Sequence, residues 1–353
     1  MPAQQQSLEN LKGEVAFRAK LARQHTTGEM LLPDYFSKDA HDRILAERIA
    51  TTRRAFQELE KRGEDFSRFV ELGAERGHRS LAIVNSFAAE GIAMDISFEQ
   101  LRTVAHFSNI FNLPKLPGRV CCDANALPLR NAAIPFVFCY QFLHHFPALT
   151  GIFAEIQRIL SAGACFFFDE EPMGRLLQLH LYKQNTKEYS RFNLRKGKLV
   201  RWLESFISET ASDEVEHGVI ENHSMRMPQW QEGLSVFDDF EVHARTLRHL
   251  RSKIGRRMRP SNLANHLLGG VIYGTCRKDG DLVPAAFKEI SEWLACPACK
   301  ILNKNDSRWD HPPVSRVGDR MVCAENGCQY PVVDDVPILI PAPLRRELYP
   351  QFS

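Results

Sequence analysis

The sequence predicts an α/β fold, a mostly parallel sheet layered between helices, with a small cysteine-built module behind it. Two observations predict the sheet. From about residue 68 onward, short apolar runs alternate with helix-length amphipathic segments. The first of those runs also leads through a glycine-containing turn into a helix, the local geometry of a ligand-binding βα unit. A third observation predicts the module: Cys296, Cys299, Cys323 and Cys328 stand in two tight pairs.

The elements follow in order. Residues 7–62 read as helical, because Leu8, Leu11, Val15, Phe17 and Leu21 recur three to four apart. A second helix covers Ala40–Lys61, after a break at Pro33. Arg68–Leu72 is a short buried strand, Gly73–Gly77 a tight loop and Arg79–Ala89 a helix. Ile92–Asp95 (strand), Glu99–Asn112 (helix), Gly118–Cys122 and Phe136–Cys139 (strands), Leu149–Leu160 (helix) and Ala164–Phe168 (strand) continue the alternation. Charged segments between 172 and 260 break that rhythm and predict an inserted helical cap, about 172–268. Gly269–Arg277 reads as a strand returning to close the sheet, and Lys278–Val283 as a linker. The expected organisation is a helical extension over 1–62, a main domain over 63–277 and a terminal module over 285–342.

Composition excludes little and directs little. At 353 residues two domains are the prior. With 44% hydrophobic and 25% charged residues the chain has the make-up of a globular protein, and a net charge of +2 gives no global attraction to nucleic acid or membrane. No apolar run approaches the ~20 residues that cross a bilayer. The stretch Met1–Phe17 lacks the apolar centre of a secretion signal, and Cys121, Cys122, Cys139 and Cys165 lie in apolar, strand-like runs where a thiol packs as a small hydrophobe. Both point to a reducing, cytoplasmic setting.

The chemistry-bearing stretch begins at Glu71-Leu72-Gly73-Ala74-Glu75-Arg76-Gly77, a strand end followed by a loop whose glycines let backbone approach a ligand. Asp95 ends the next strand, at the distance where an acid holds ribose hydroxyls. Asp123 follows the third, where its carboxylate or the neighbouring amides meet an adenine edge. With the run FCYQFLHHF, the segment EIQRILSAG and the strand CFFFDEEP, residues 70–172 resemble the core of class I S-adenosylmethionine (SAM) methyltransferases of the small-molecule type. The resemblance implies a seven-stranded, Rossmann-like sheet with SAM at the C-terminal strand ends. It implies that Glu71, Gly73 and Gly77 shape the methionine end, that Asp95 holds the ribose and Asp123 the adenine, with Ala74, Ile96, Ala124 and Gln141 as further cofactor-binding residues. The family has a glycine where this chain has Glu75. Either that side chain turns outward and SAM still binds, or it crowds the ligand and leaves a scaffold without cofactor.

Methyl transfer from a sulfonium is an in-line displacement, so alignment supplies most of the catalysis and a base is needed only where the acceptor loses a proton. No Asn/Asp-Pro-Pro-Tyr/Phe sequence follows the fourth strand, which argues against an exocyclic amine as acceptor. His144 and His145 stand there instead and are the candidate catalytic residues, an imidazole being able to take a hydroxyl proton near neutral pH. The alternative is that one ring packs or caps the following helix. Glu170 and Glu171 read as structural or substrate-orienting. Leu176, Leu177, Leu179 and Leu181, with Tyr182, form either an apolar lid or helix core. The seven Lys/Arg residues between Arg245 and Arg259, with no acid among them, are either a solvated helix face or a surface for nucleic acid or another polyanion.

Four thiolates in the pattern Cys-x-x-Cys and Cys-x4-Cys complete a closed tetrahedral site, so a structural zinc ion is expected, with paired disulfides as the alternative. WLACPACK and MVCAENGCQYPVVDDVPILI resemble the zinc-ribbon activator subunit that partners several methyltransferases. That resemblance implies service in cis, with Val336–Ile340 docking on the main domain. The expected activity is SAM-dependent methyl transfer to a small-molecule acceptor at oxygen or carbon. RNA or protein as acceptor, and a non-catalytic scaffold, are the alternatives.

Overall fold

The computed structural model describes residues 7–27, 38–176, 182–185, 208–211, 217–246, 250–281, 287–302 and 309–352. Two helices lead in, α1 (Leu8–Thr27) and α2 (Lys38–Lys61). The alternating region then supplies β1 (Arg68–Leu72), α3 (His78–Ser86), β2 (Glu90–Asp95), α4 (Phe98–Arg102), α5 (Val104–Ile110), β3 (Gly118–Cys121), β4 (Ile134–Tyr140), α6 (Leu149–Ile159) and β5 (Leu160–Met173). Beyond it lie β6 (Tyr182–Asn185), β7 (Ser208–Ala211), α7 (Met227–Leu234), β8 (Asp239–Thr246), β9 (Leu250–Ile254), α8 (Leu263–Leu268) and β10 (Gly270–Arg277).

One large sheet runs in the order β3-β2-β1-β4-β5-β10-β8-β9. The pairs among β1 to β5 are parallel, while β10 lies antiparallel to both β5 and β8. Chain order reverses between β1 and β4, so the crevice beyond their carboxyl ends is where an open α/β sheet binds its ligand. Residues of β4 alternate between two cores. Phe136, Phe138 and Tyr140 join Phe56 of α2 and Phe69 on one face, while Val137 and Cys139 join Phe153 and Ile156 of α6 on the other.

Eight strands stand where seven were expected. The added one, β9, and its neighbour β8 come from the stretch expected to be a helical cap; of the basic run, Arg245 lies on β8 and Arg251 and Lys253 on β9, Arg256, Arg257 and Arg259 follow β9, and Arg248 lies outside the described residues. Period two explains it: Val242, Ala244 and Thr246 of β8 and Ser252 and Ile254 of β9 are buried, with Glu241, His243, Arg251 and Lys253 interleaved on the other side. Those charges mask the apolar alternation in the sequence. The α7 and α8 helices in this stretch are short, and β6 and β7 pair in parallel apart from the large sheet. Of the apolar lid segment, residues 177–181 lie outside the described residues, as does the end of the linker. The single helix expected over 99–112 divides at Thr103 into α4 and α5.

Residues 290–352 form a separate small unit. It comprises β11 (Ile301–Leu302), β12 (Trp309–Asp310), a meander of β13 (Val314–Val317), β14 (Arg320–Cys323), β15 (Gln329–Val333) and β16 (Val336–Pro337), then α9 (Ala342–Leu348) and a 3-10 turn, Pro350–Phe352. Asp334 and Asp335, both with positive φ, make the two-residue turn between β15 and β16. The unit caps the edge of the large sheet: Ile338 bridges Cys121 of β3 in parallel, and the Leu339 amide donates to the Cys121 carbonyl at 2.8 Å. A second seam joins Leu294 to Leu129, beside the fully buried Trp293. No helix of the described residues is long and apolar enough to cross a membrane.

Candidate active site

The carboxyl ends of β1, β2, β4 and β5 open into a cavity of about 510 Å³. Glu71, Gly73, Ala74, Asp95, Ile96, Asp123, Ala124, Gln141, His144 and His145 all line it. Gly77 does not. It stands with φ 60° at the start of α3, where an added Cβ would lie 2.9 Å from Val104, so its part is in packing the turn. Gly73 (φ 67°) lies so close to Phe142 that a Cβ would meet the ring at 2.4 Å.

Within the loop, Ala74 N–H donates to the Met94 carbonyl and Glu75 N–H to Asp95 Oδ2 at 2.8 Å. Ser97 N–H holds the other oxygen of Asp95 at 2.7 Å. Both contacts aim the Asp95 carboxylate along the cavity wall. Burial nevertheless pushes its pKa up to about 6. Glu71 is committed inward: it accepts from the amide and hydroxyl of Ser80 in the first turn of α3, and burial raises it to about 7. Asp123 caps a 3-10 turn over Ala124–Ala126 by accepting from Asn125 N–H at 2.9 Å, and its carboxyl is raised by burial.

Glu75 adopts φ 46°, a left-handed conformation that explains why glycine suits this position. Its carboxylate is drawn to the N-terminal helices, 3.0 Å from Arg18 Nη1 of α1 and 3.5 Å from Arg48 Nη1 of α2. Burial alone would raise its pKa, but the guanidinium groups of Arg18, Arg48 and Arg76 outweigh that and hold it well below the usual carboxylate range. The side chain therefore forms one wall of a cavity that stays open. Arg18 and Arg48 carry no sequence signal of this task, since they sit 57 and 27 residues from their partner.

At the far end the two histidines differ. Glu171, fully buried, accepts from the backbone amides of Phe142 (2.7 Å), Leu143 (3.0 Å) and His144 (3.3 Å), and from His144 Nδ1 at 3.0 Å. His145 Nδ1 sits 2.8 Å from the Ile220 carbonyl, and burial lowers its pKa. Glu221 and His223 join this end from a loop anchored by Asn222 N–H on the His144 carbonyl. Neither was legible in the sequence, lying in a stretch that matches no motif. Glu170 pairs with Arg79 at 2.8 Å, and the Arg79 guanidinium stacks over Tyr140 at 3.6 Å.

All nine cysteines of the chain are thiols, four of them in the terminal unit. One sulfur each from Cys296, Cys299 and Cys328 lie within 4.8 Å of one another, and Cys299 and Cys328 are 3.5 Å apart. Cys323, expected as the fourth ligand, falls outside that mutual distance but tethers the turn, donating its amide to the Cys328 carbonyl. Asn326 Nδ2 donates to Cys299 Sγ at 3.1 Å, and Tyr330 Oη lies 2.9 Å from Cys296 Sγ.

Compared with known proteins, residues 70–168 match the family model described as a methyltransferase domain. Among solved structures the chain is similar to an S-adenosyl-L-methionine-dependent methyltransferase of Methanococcus maripaludis (15% identity, 72% of this chain and 100% of that one, TM-score 0.41). It is also similar to a SAM-dependent methyltransferase of Methanosarcina mazei (18%, 62% and 94%, 0.37). A third likeness is to a complex of a methyltransferase activator with a methyltransferase from Haloferax volcanii (13%, 69% and 96%, 0.40). No curated protein sequence matches the chain. The family match spans residues 70–168, the stretch that supplies β1 to β5 and most of the cavity's carboxyl-end lining.

Proposed function

We propose that the chain methylates a small molecule at an oxygen or carbon that gives up a proton at the histidine end of the cavity. The observation that carries this reading is the Glu171–His144 pair. Three backbone amides already donate to Glu171, and the His144 ring adds its Nδ1–H, which leaves Nε2 on the side of Glu221 and the cavity. Bound SAM supplies an electrophilic methyl group on a sulfonium. Asp95 accepts from the ribose hydroxyls, the Asp123 turn presents its amides to the adenine edge, and Gly73 lets the backbone approach the methionine end. His144 and His145 supply the basic nitrogens beside the acceptor. The α1 and α2 helices close over the site through Leu11, Glu14, Arg18 and Arg48, which favours a small acceptor over a macromolecule.

The cysteine cluster fits a structural zinc ion. Sulfurs on a tetrahedral ion with bonds of about 2.3 Å stand about 3.8 Å apart, close to the 3.5 Å between Cys299 and Cys328. A small turn of Cys323 completes four. We infer that the ion fixes the terminal unit, and that the unit then supports the methyltransferase domain in cis through the edge of β3. Isothermal titration with S-adenosylhomocysteine, followed by transfer of labelled methyl to a panel of phenolic, carboxylic and carbon acids, tests the activity. Binding lost in Asp95→Ala together with turnover lost in His144→Gln is the expected result. Absence of any binding by the intact chain would overturn the reading.

A further inference from the structure

We propose that His144, His145 and Glu221 form a binding site for a divalent first-row metal ion at the acceptor end of the cavity. One ligand atom from each of the three residues lies within 4.8 Å of the other two. His144 Nε2 is 3.9 Å from Glu221 Oε1, and His145 Nδ1 is 4.0 Å from the same oxygen. A loaded site with bonds of about 2.1 Å would bring such atoms to roughly 3.0–3.4 Å, a change that side-chain rotation supplies. The three residues line one cavity, so a cation held there keeps open positions toward a small ligand.

The surrounding contacts are those that metal-binding histidines use. A ligating imidazole donates its second ring N–H to a carboxylate or carbonyl, which fixes the tautomer and orients the ring. His144 does this to Glu171 at 3.0 Å, whereas His145 Nδ1, the nitrogen facing Glu221, exchanges its 2.8 Å contact with the Ile220 carbonyl for the ion. Glu221 is itself braced, its second oxygen 2.6 Å from His223 Nε2. Glu14 Oε2 stands 4.0 Å from His145 and adds negative potential. Two imidazoles with one carboxylate suit Mn²⁺, Fe²⁺ or Zn²⁺ better than Mg²⁺ or Ca²⁺, which prefer all-oxygen shells. This site is distinct from the thiolate cluster in the terminal unit, whose soft sulfurs select zinc.

The ion's role deepens the methyl-transfer reading and rests on it, although its binding does not. A hydroxyl coordinated to a divalent cation loses its proton near neutral pH. The proton then passes to solvent, and the alkoxide or phenoxide oxygen stays fixed for in-line attack on the methyl carbon, with the sulfonium leaving as a thioether. With the ion bound, the histidine nitrogens hold the cation and no longer take the acceptor's proton directly.

Titration of Mn²⁺ into the zinc-loaded full chain, followed by electron paramagnetic resonance of the unbound ion, tests the site. One Mn²⁺ per chain is expected. Glu221→Gln should weaken binding at least about tenfold and Glu171→Gln about 10–100-fold, with S-adenosylhomocysteine binding retained in Glu221→Gln. The proposal is overturned if the wild-type chain binds S-adenosylhomocysteine but no Mn²⁺, or if Glu221→Gln binds Mn²⁺ as tightly as wild type. Mn²⁺ bound in a Glu221-dependent way by a chain that binds no S-adenosylhomocysteine would uphold the site and remove methyl transfer as its purpose.

Discussion

Replacing Tyr349 by phenylalanine probes the joint between the terminal unit and the cofactor loop. The Tyr349 hydroxyl, from a side chain only 2% exposed, donates to the Ile96 carbonyl and accepts from the Phe98 amide at 3.0 Å. Those residues directly follow Asp95 and contain Ser97, whose amide holds the Asp95 carboxylate. Without the hydroxyl the Phe98 N–H is left buried and unpaired, at a cost of about 1–3 kcal/mol. The Ile96 carbonyl keeps the thiol of Cys121 at 3.3 Å, so its loss is smaller. A net destabilisation of about 2 kcal/mol corresponds to a fall in Tm of roughly 4 °C for a domain this size. If about 1 kcal/mol of that must be restored when the loop orders around ribose, affinity for S-adenosylhomocysteine falls about fivefold. Calorimetric melting and isothermal titration measure both. A Tm within 1 °C of wild type, with unchanged affinity, would refute a coupling between residue 349 and the cofactor loop.

Further outcomes follow from the same geometry. Because burial raises Asp95 to about 6, its carboxyl is protonated below that value. Cofactor affinity should therefore weaken toward about tenfold per pH unit under pH 6, a dependence that Asp95→Asn abolishes along with most of the affinity. The same raised value, above the ordinary 3.8, means that the folded, ligand-free protein binds the extra proton between about pH 4 and 6. Asp95 thus favours the folded state as pH falls through that window and costs stability above it, which chemical denaturation of wild type against Asp95→Asn reads directly. Glu75→Gln keeps the side-chain size but leaves Arg18 and Arg48 short of a counter-charge. A loss of about 1–2 kcal/mol is expected after allowance for partial exposure, together with faster proteolysis of α1. Cys299→Ser should reduce zinc from one ion per chain to none by elemental analysis and lower the Tm by several degrees, whereas Cys165→Ser, buried in β5, should leave zinc content unchanged.

The parts of the site that were readable in the sequence are those built locally. A glycine turn after β1, an acid at the end of β2 and another just past β3 each owe their position to a strand ending a residue or two earlier, so spacing alone locates them. Val242 and Ala244 alternate with Glu241, His243 and Arg245, so the strand that carries them is hidden among charges. The spacing of the cysteines reports which thiols share a turn but not how far each sulfur reaches.

By itself the sequence determined the α/β class and the order of the cavity-lining elements, because these depend on period and on neighbours along the chain. Only the tertiary structure decided that Glu75 leans on Arg18 and Arg48, that His144 and His145 have different anchors, that Glu221 completes a cluster with them, and that Tyr349 reaches Ile96. Each of those contacts joins segments brought together by packing of the sheet and its helices, and such distances are set by the shared core.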